Sequence, residues 1–299
     1  MFQNIKGFAQ FISVERGLML FMISIGVTFL IVETLAWSTA LFLGILVFCI
    51  WSAVDAMNNI FDHELDIISD PARAKFTKKI GRIGFLIMAI FCVASLGLGI
   101  VTMIPYVVLF VSLGLIFGIL YSVPPFRLRK TAYKPIVNFT VGAIPTLVIV
   151  SFFNNFSFSS IVLVVLIGIT TAVNSLWEDL ADFASDSHSG SRTVPIVFGF
   201  RKGLFLTIII GYCMLPLMFL AGITFQLSWI YHISLVGFAV FISLRIIQKR
   251  QILREARKIE PTKLHKLGEI LAKDFVFVAI AFTFSLMINS LLKIHPIFI

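Results

Sequence analysis

Residues 58–73 read NNIFDHELDIISDPAR, and this stretch decides how the rest of the chain is interpreted. Asn58, Asp62 and Asp66 recur at intervals of four residues, and on an α-helix each such step rotates the side chain by only about 40°. We therefore expect these three oxygen-bearing side chains, the first acidic row, to share one helix face. The preceding run, LFLGILVFCIWSAVDAMN, is apolar apart from Asp55. Grouped carboxylates at the end of such a membrane-grade helix are costly unless a cation neutralises them.

The same pattern returns at residues 174–186, NSLWEDLADFASD. Asn174, Glu178, Asp182 and Asp186 again step by four and again close an apolar run; they form the second acidic row. Ligands that are all oxygen indicate a hard cation, Mg²⁺ before Ca²⁺ or Mn²⁺, and argue against a soft metal. Mg²⁺ held by few carboxylates usually shares its coordination shell with substrate phosphate.

The composition is that of an integral membrane protein. Of the 299 residues, 59% are hydrophobic and only 13% are charged, whereas charged residues make up about 25% of a soluble domain. A transmembrane helix needs about 20 apolar residues. Runs of this kind predict nine spans, at about 15–34, 38–60, 83–103, 105–123, 134–153, 159–178, 202–222, 227–248 and 274–293. The predicted fold is all-α: a multi-pass membrane bundle of nine transmembrane helices with cytoplasmic loop helices or caps.

The basic residues predict how this bundle lies in the membrane. With nine spans, every Lys and Arg except Lys293 falls on one side, and the positive-inside rule makes that side the cytoplasm. We expect the N-terminus and the loops that follow both acidic rows to be cytoplasmic, in a protein of the cell membrane. The net charge of +9 then reflects orientation and attraction of phosphate, so no nucleic-acid partner is predicted. We expect a single domain over residues 1–299, open to division into related four-helix halves at about 15–153 and 159–293.

Each acidic row runs into a basic loop that contains glycine. Arg73 follows the first row and Arg192 follows the second. A guanidinium beside a carboxylate–metal site suits a diphosphate, because the metal bridges the diphosphate oxygens and Arg binds them in a bidentate manner. The alternative is that both arginines only anchor their loops to anionic lipid head groups.

A third basic loop follows the fourth span and reads LYSVPPFRLRKTAYKP. Tyr121 ends a helix that two prolines then break, and Arg127 and Lys130 follow. We expect Tyr121 to face the same cytoplasmic vestibule as the acidic rows, although a Tyr at a helix end is also typical of the membrane interface. Asn138, near the start of the fifth span, is expected to line the substrate cavity together with Asn174.

These motifs together resemble the UbiA superfamily of intramembrane prenyltransferases. Asn58, Asp62 and Asp66 match its first motif, NxxxDxxxD. The second motif and its Gly/Thr continuation are matched by Asp179, Asp182, Asp186, Gly190 and Thr193. The third loop, YSVPPFRLRK, is similar to the version found in members with long isoprenoid or lipid-like substrates.

The chain departs from the family pattern at two positions. Pro125 stands where many members have the Lys of a Tyr-x3-Lys motif, so Arg127, Arg129 or Lys130 is expected to supply that charge. The Arg–Pro pair that is common in the first loop is here Arg73 followed by Ala.

The resemblance implies Mg²⁺-dependent transfer of a prenyl group from a prenyl diphosphate to an aromatic or lipid-like acceptor within the membrane, with release of pyrophosphate. The implied catalytic residues are Asp62, Asp66, Asp182 and Asp186. The implied metal ligands are Asn58, Asp62, Asp66, Glu178, Asp179, Asp182 and Asp186, and it stays open whether Glu178 or Asp179 faces the metal. The implied diphosphate-binding residues are Arg73, Tyr121, Arg127, Lys130 and Arg192.

Two other functions fit part of the pattern. A membrane cation transporter would use the two acidic clusters, but it predicts carboxylates near the bilayer midplane at broken helices. A membrane terpene cyclase would need no acceptor. Within the transferase interpretation, the acceptor is left open between an aromatic acid or quinone precursor, a glyceryl-ether lipid phosphate and a chlorin- or haem-like group.

Overall fold

The described chain is a succession of α-helices. The computed structural model describes residues 2–34, 36–64 and 71–254, together with residues 270, 274, 277, 278, 281, 282, 285, 288 and 289. The helices in chain order are α1 (Phe2–Phe11), α2 (Val14–Val32), α3 (Trp37–Asp62), α4 (Pro71–Ile80), α5 (Arg82–Val101), α6 (Pro105–Ser122), α7 (Lys134–Phe152), α8 (Phe158–Ala181), α9 (Phe183–His188), α10 (Val194–Phe198), α11 (Phe200–Thr224) and α12 (Trp229–Arg254). A short 3₁₀ turn, Leu128–Lys130, lies between α6 and α7.

Eight helices in the described part of the chain are long and apolar enough to cross a membrane. They are α2, α3, α5, α6, α7, α8, α11 and the Trp229–Gln248 part of α12. These eight correspond to the first eight predicted spans, so the all-α membrane bundle is confirmed. Most of the ninth predicted span, 274–293, lies outside the described residues, and the count of nine stays a prediction.

Proline and glycine set several of the helix ends. Pro105 begins α6, where its fixed φ and missing N–H are tolerated. The same helix ends at Ser122, just before the Pro124–Pro125 pair, as the prolines predict. Gly81 separates α4 from α5 with φ of +47°, a conformation that suits glycine because a side chain would be strained there.

Several helices expose apolar side chains that only lipid would cover favourably. Val93 and Val101 on α5 are 70% and 71% exposed, and Trp229 on α12 is 72% exposed. Large apolar side chains exposed on several helices of one chain are more than a soluble monomer usually shows. They are the expected outer surface of helices in a bilayer.

The chain divides into two compact units. The first comprises residues 1–129 and 143–156, and the second comprises residues 130–142 and 157–299. In the first unit, α3 packs against α2, α5 and α6. In the second unit, α8 packs along α11. The predicted duplication into four-helix halves stays a prediction.

Small residues allow close helix contacts inside each unit. In the first, a Cβ added to Gly118 on α6 would lie 2.6 Å from a methyl carbon of Val54 on α3. In the second, a Cβ added to Gly142 on α7 would lie 1.9 Å from Oγ1 of Thr171 on α8. Such approaches are typical of membrane helices, which associate mainly by close van der Waals packing. They hold α3 and α8, the helices that carry the acidic rows, in fixed positions within their units.

Candidate active site

The first acidic row begins on the last two turns of α3, in the first unit. Asp62 is the final residue of that helix and its side chain is fully buried. Asn58 lies one turn earlier and is half-buried. A buried carboxylate is stable only where cations or hydrogen-bond donors surround it, so the groups that contact Asp62 decide what this row can do.

Two guanidinium groups from the third loop supply those contacts. Nη1 of Arg129 lies 2.5 Å from Oδ2 of Asp62, and Nη2 of Arg127 lies 3.1 Å from Oδ1. Arg127 also donates a hydrogen bond to the carbonyl of Phe61. Both arginines are therefore charge partners of the first acidic row. They are two of the three residues, with Lys130 as the third, that were expected to supply the charge of the family Lys.

The predicted alignment of Asn58 with Asp62 is confirmed by a shared partner. Nη1 of Arg129 donates to Oδ1 of Asn58 at 2.9 Å as well as to Asp62. The hydroxyl of Ser122, the last residue of α6, donates to the same Asn58 oxygen at 3.4 Å. One guanidinium thus bridges two members of the row, which requires both to lie on one helix face.

For the other predicted site residues of the first unit, the structure describes a position at most and no role. Asp66 lies outside the described residues. Arg73 on α4 and Tyr121 in the last turn of α6 are both half-buried. Their predicted role in binding diphosphate stays a prediction.

The second acidic row lies at the end of α8, in the second unit, and the buried carboxylate next to its Glu178 is that of Asp179. The side chain of Asp179 is fully buried, and its Oδ1 lies 2.6 Å from Nζ of Lys134, the first residue of α7. The same ammonium lies 4.0 Å from Oε2 of Glu178. Lys134 was not among the predicted site residues. The available signal was a Lys at the start of an apolar helix, four residues before Asn138, and it was counted only for topology.

Asn174 and Glu178 share a helix face, as their spacing predicts. Nδ2 of Asn174 donates to Oε1 of Glu178 at 3.1 Å. Among the described residues, Oδ1 of Asn174 and Oδ2 of Asp179 are buried oxygens that have no hydrogen-bond partner. Buried oxygens of this kind normally find a partner, and a bound cation is one kind of partner that a carboxylate or amide oxygen accepts.

Backbone pairing connects the third loop with the loop that follows the second row. The N–H of Arg192 donates to the carbonyl of Lys130 at 2.7 Å, and Thr131 forms an isolated parallel bridge with Arg192. This pairing brings together Lys130 and Arg192, two of the predicted diphosphate-binding residues. The side chain of Arg192 is exposed, and its role in binding diphosphate stays a prediction.

The remaining residues of the second row continue from α8 into α9. Asp182 follows the last residue of α8, and its backbone N–H donates to the Glu178 carbonyl at 2.9 Å. Oδ2 of Asp186 accepts a hydrogen bond from Oγ1 of Thr193 at 3.0 Å. The Thr of the second motif therefore orients its last carboxylate.

Asn138 is half-buried on α7 and contributes its backbone to helix packing. Its carbonyl accepts a hydrogen bond from Oγ1 of Thr171 on α8 at 2.9 Å. The contribution of its side chain to a substrate cavity stays a prediction.

The donor set fits a hard cation, although no cluster gathers in the described residues. Within residues 2–34, 36–64 and 71–254 and the described positions beyond, no three His, Cys, Asp or Glu side chains lie close enough to hold a metal ion. Asp62 and Asp179 instead contact cationic side chains. The oxygen-only ligands and the two unsatisfied oxygens beside Glu178 suit Mg²⁺, and the metal-binding role of each residue stays a prediction.

These features are those of a polytopic α-helical membrane protein in which, within each unit, a buried carboxylate near a helix end contacts cationic side chains. The model of the UbiA prenyltransferase family matches residues 19–267. Since this match covers most of the chain, the protein belongs to the UbiA prenyltransferase family, and the resemblance that the motifs indicated is confirmed.

Solved structures support the same fold. A structure described as digeranylgeranylglyceryl phosphate synthase in membranes is 18% identical, with a TM-score of 0.68, and the match covers 96% of this chain and 98% of that chain. A UbiA homologue from Archaeoglobus fulgidus bound to DMAPP and Mg²⁺ is 16% identical, with a TM-score of 0.63, over 94% of this chain and 98% of that chain. The same homologue bound to GPP and Mg²⁺ is 16% identical, with a TM-score of 0.65, over 94% and 99%. No curated protein sequence matches the chain significantly.

Proposed function

We propose that this protein transfers a prenyl group from a prenyl diphosphate to an apolar acceptor within the membrane, in an Mg²⁺-dependent reaction that releases pyrophosphate. The observation that carries the proposal is the pair of guanidinium groups, Arg127 and Arg129, held on the buried carboxylate of Asp62 at the end of a membrane helix. A cation transporter would not need a loop whose guanidinium groups are held in place to bind phosphate.

The comparisons support the choice of donor and metal. The Archaeoglobus fulgidus homologue has been solved with DMAPP and Mg²⁺ and with GPP and Mg²⁺. We infer that the present chain uses a donor of the same chemical class. Family membership supports the reaction class.

The cationic residues would bind and orient the diphosphate. Guanidinium groups bind phosphate oxygens in a bidentate manner, with fixed direction. Arg127 and Arg129 are held in place by their contacts with Asp62, so little conformational freedom is lost when the anion arrives. Arg192 and Lys130, paired through their backbones, would act in the same way in the second unit.

The carboxylates and amides of the two rows would hold the metal. Asn58, Asp62 and Asp66 would do so in the first row, and Glu178, Asp179, Asp182 and Asp186 in the second. When bound, Mg²⁺ would neutralise the departing diphosphate and so assist cleavage of the allylic C–O bond. Lys134 would keep Asp179 compensated and oriented, and the apolar spans would exclude water from the reacting carbon.

The test is pyrophosphate release by the purified full-length protein in lipid nanodiscs. Geranyl and geranylgeranyl diphosphate would be offered with candidate acceptors, with and without Mg²⁺, and the products identified by mass spectrometry. We expect release that requires both Mg²⁺ and an acceptor, and a prenylated product. Release without an acceptor would identify a cyclase or hydrolase instead, and no release with any donor would remove the transferase assignment.

Asp62→Asn is the sharpest variant for this assay. It preserves the size of the side chain but removes the charge that positions both arginines, and we expect turnover to fall about 100-fold or more. Glu64→Gln is the matched control, since Glu64 is an exposed carboxylate two residues further along, and it should retain full activity. Equal activity of the two variants would contradict the role of Asp62.

A further inference from the structure

The ammonium of Lys134 lies beside two adjacent carboxylates at the end of α8. Its Nζ is 2.6 Å from Oδ1 of Asp179 and 4.0 Å from Oε2 of Glu178. The side chain of Asp179 is fully buried, that of Lys134 is 11% exposed and that of Glu178 is 22% exposed. A cation that belongs to the chain therefore stands next to two of the side chains that were expected to hold Mg²⁺.

The contact with Lys134 uses only one oxygen of Asp179. Oδ1 accepts the hydrogen bond from Nζ, whereas Oδ2 is buried and has no hydrogen-bond partner among the described residues. An ionised carboxylate accepts hydrogen bonds at both oxygens, and leaving a buried acceptor unpaired is costly. Lys134 thus balances the charge of Asp179 without filling its capacity to bind a cation.

The neighbouring carboxylate is held mainly by its own helix. Oε1 of Glu178 accepts a hydrogen bond from Nδ2 of Asn174, one turn earlier on α8, at 3.1 Å. Its Oε2 lies too far from Nζ of Lys134 for a hydrogen bond. One ammonium beside two carboxylates leaves a single negative charge, which attracts a divalent cation less than the double charge of the two carboxylates would.

We propose that Lys134 is the built-in counter-ion of Glu178 and Asp179, and that a divalent cation must displace its ammonium from Asp179 in order to bind there. The inference rests on the proposed function and adds a positioning residue to it. Two cations close to the same carboxylate repel each other. Lys134 therefore lowers the affinity of this end of α8 for free Mg²⁺.

The position of Lys134 allows its ammonium to move. It is the first residue of α7, and its charge lies at the end of a flexible four-carbon stem. Nζ can therefore leave Asp179 while the backbone of α7 stays in place. Mg²⁺ usually shares its coordination shell with substrate phosphate, and phosphate oxygens would give the displaced ammonium another anion. Free Mg²⁺ brings no such anion, so the ammonium opposes its binding most strongly when the donor is absent.

The first experiment measures the affinity for a divalent cation without donor or acceptor. The probe is Mn²⁺, which takes the same oxygen ligands as Mg²⁺, titrated by EPR into the full-length protein in nanodiscs of zwitterionic lipid. Lys134→Gln removes the charge and keeps an N–H donor for Asp179, and we expect it to bind Mn²⁺ about tenfold more tightly than the unchanged protein. Lys202→Gln, at an exposed position of α11 in the same unit, is the matched control and should bind within about twofold of the unchanged protein.

Two further variants locate the effect. Lys134→Arg keeps a cation beside the carboxylates and should bind Mn²⁺ within about threefold of the unchanged protein. Adding Glu178→Gln to Lys134→Gln removes one of the two carboxylates and should cancel the gain in affinity. A gain that persists in this double variant would place the tighter Mn²⁺ at another site and would overturn the proposal.

The second measurement is thermal unfolding with and without saturating Mg²⁺, since a ligand that binds only the folded protein stabilises it. Lys134→Met leaves Asp179 without its ammonium, and Mg²⁺ can take that place. We expect Mg²⁺ to raise the thermal midpoint of Lys134→Met by about 3 °C more than that of the unchanged protein, the difference that tenfold tighter binding gives. Equal increases in the two proteins would contradict displacement of the ammonium.

The outcomes separate the role of Lys134 from the reaction, because neither measurement needs prenyl transfer. If Lys134→Gln binds Mn²⁺ no more tightly than Lys202→Gln does, Lys134 does not compete with the metal, and this inference falls whatever the pyrophosphate assay gives. If the variants bind Mn²⁺ as expected but no donor yields pyrophosphate, the role of Lys134 is supported and only the transferase assignment falls.

Discussion

The ion pair between Lys134 and Asp179 places two opposite charges in the interior of the second unit. The side chain of Asp179 is fully buried, that of Lys134 is 11% exposed, and their charged atoms are 2.6 Å apart. Lys134→Met removes the cation and keeps most of the apolar stem. The carboxylate is then left in the interior without the charge that balances it.

The expected cost follows from that burial. Removing one partner of a buried ion pair destabilises proteins by about 3–5 kcal/mol, because the desolvation of the remaining charge is no longer offset. Glu178, 4.0 Å from the same ammonium, adds a like charge and places the estimate in the upper part of that range. At about 2 °C per kcal/mol for a large domain, the upper part of that range means that Lys134→Met should lower the thermal midpoint by roughly 8–10 °C.

The assay is thermal unfolding in detergent without Mg²⁺, so that only the protein's own contacts are measured. The double variant Lys134→Met, Asp179→Leu removes both charges and should recover most of the loss, as apolar replacements of buried pairs do. Arg192→Gln, at an exposed position, is the control and should change the midpoint little. A drop below about 2 °C, or a double variant no more stable than Lys134→Met, would refute the reasoning.

Three further predictions concern contacts elsewhere in the two units. Arg129→Met removes a charged hydrogen-bond donor from the first acidic row, and KM for the diphosphate donor in the pyrophosphate assay should rise about tenfold; an unchanged KM would argue against this site. Gly142→Ala places a Cβ 1.9 Å from Oγ1 of Thr171 and should lower stability by about 1–3 kcal/mol in thermal unfolding. Unchanged stability would show that α7 and α8 can move apart there without cost. Asn289→Leu removes the acceptor of the Ser228 N–H, which lies 3.1 Å from Oδ1, and should lower stability by about 1–2 kcal/mol because that donor is left unpaired. Wild-type stability of this variant would contradict the prediction.

The positions of the transmembrane helices could be predicted closely because each is a local run of apolar residues. The predicted span 134–153 became Lys134–Phe152, and 159–178 became Phe158–Ala181. The span predicted at 227–248 continues as one helix to Arg254. The helix continues beyond the end of its apolar run because Lys and Arg are good helix formers. Hydropathy alone predicts where the apolar run ends and not where the helix ends.

The candidate site was only partly predictable. The spacing of Asn58 and Asp62, and of Asn174 and Glu178, correctly predicted shared faces, because helical periodicity is fixed by the backbone. Lys134 was missed because a basic residue at the start of a span is usually explained by topology alone.

Hydropathy and helical period are properties of neighbouring residues, so an all-helical membrane protein with two oxygen-rich rows could be inferred before its structure was known. Which cation contacts which carboxylate depends on residues far apart in the chain and became clear only from the folded protein. Arg129 reaches Asp62 across 67 positions, and Lys134 reaches Asp179 across 45. The loop that carries these cations has no periodic sequence pattern. Its path depends on contacts with helices that are distant in the chain, and local sequence does not predict such contacts.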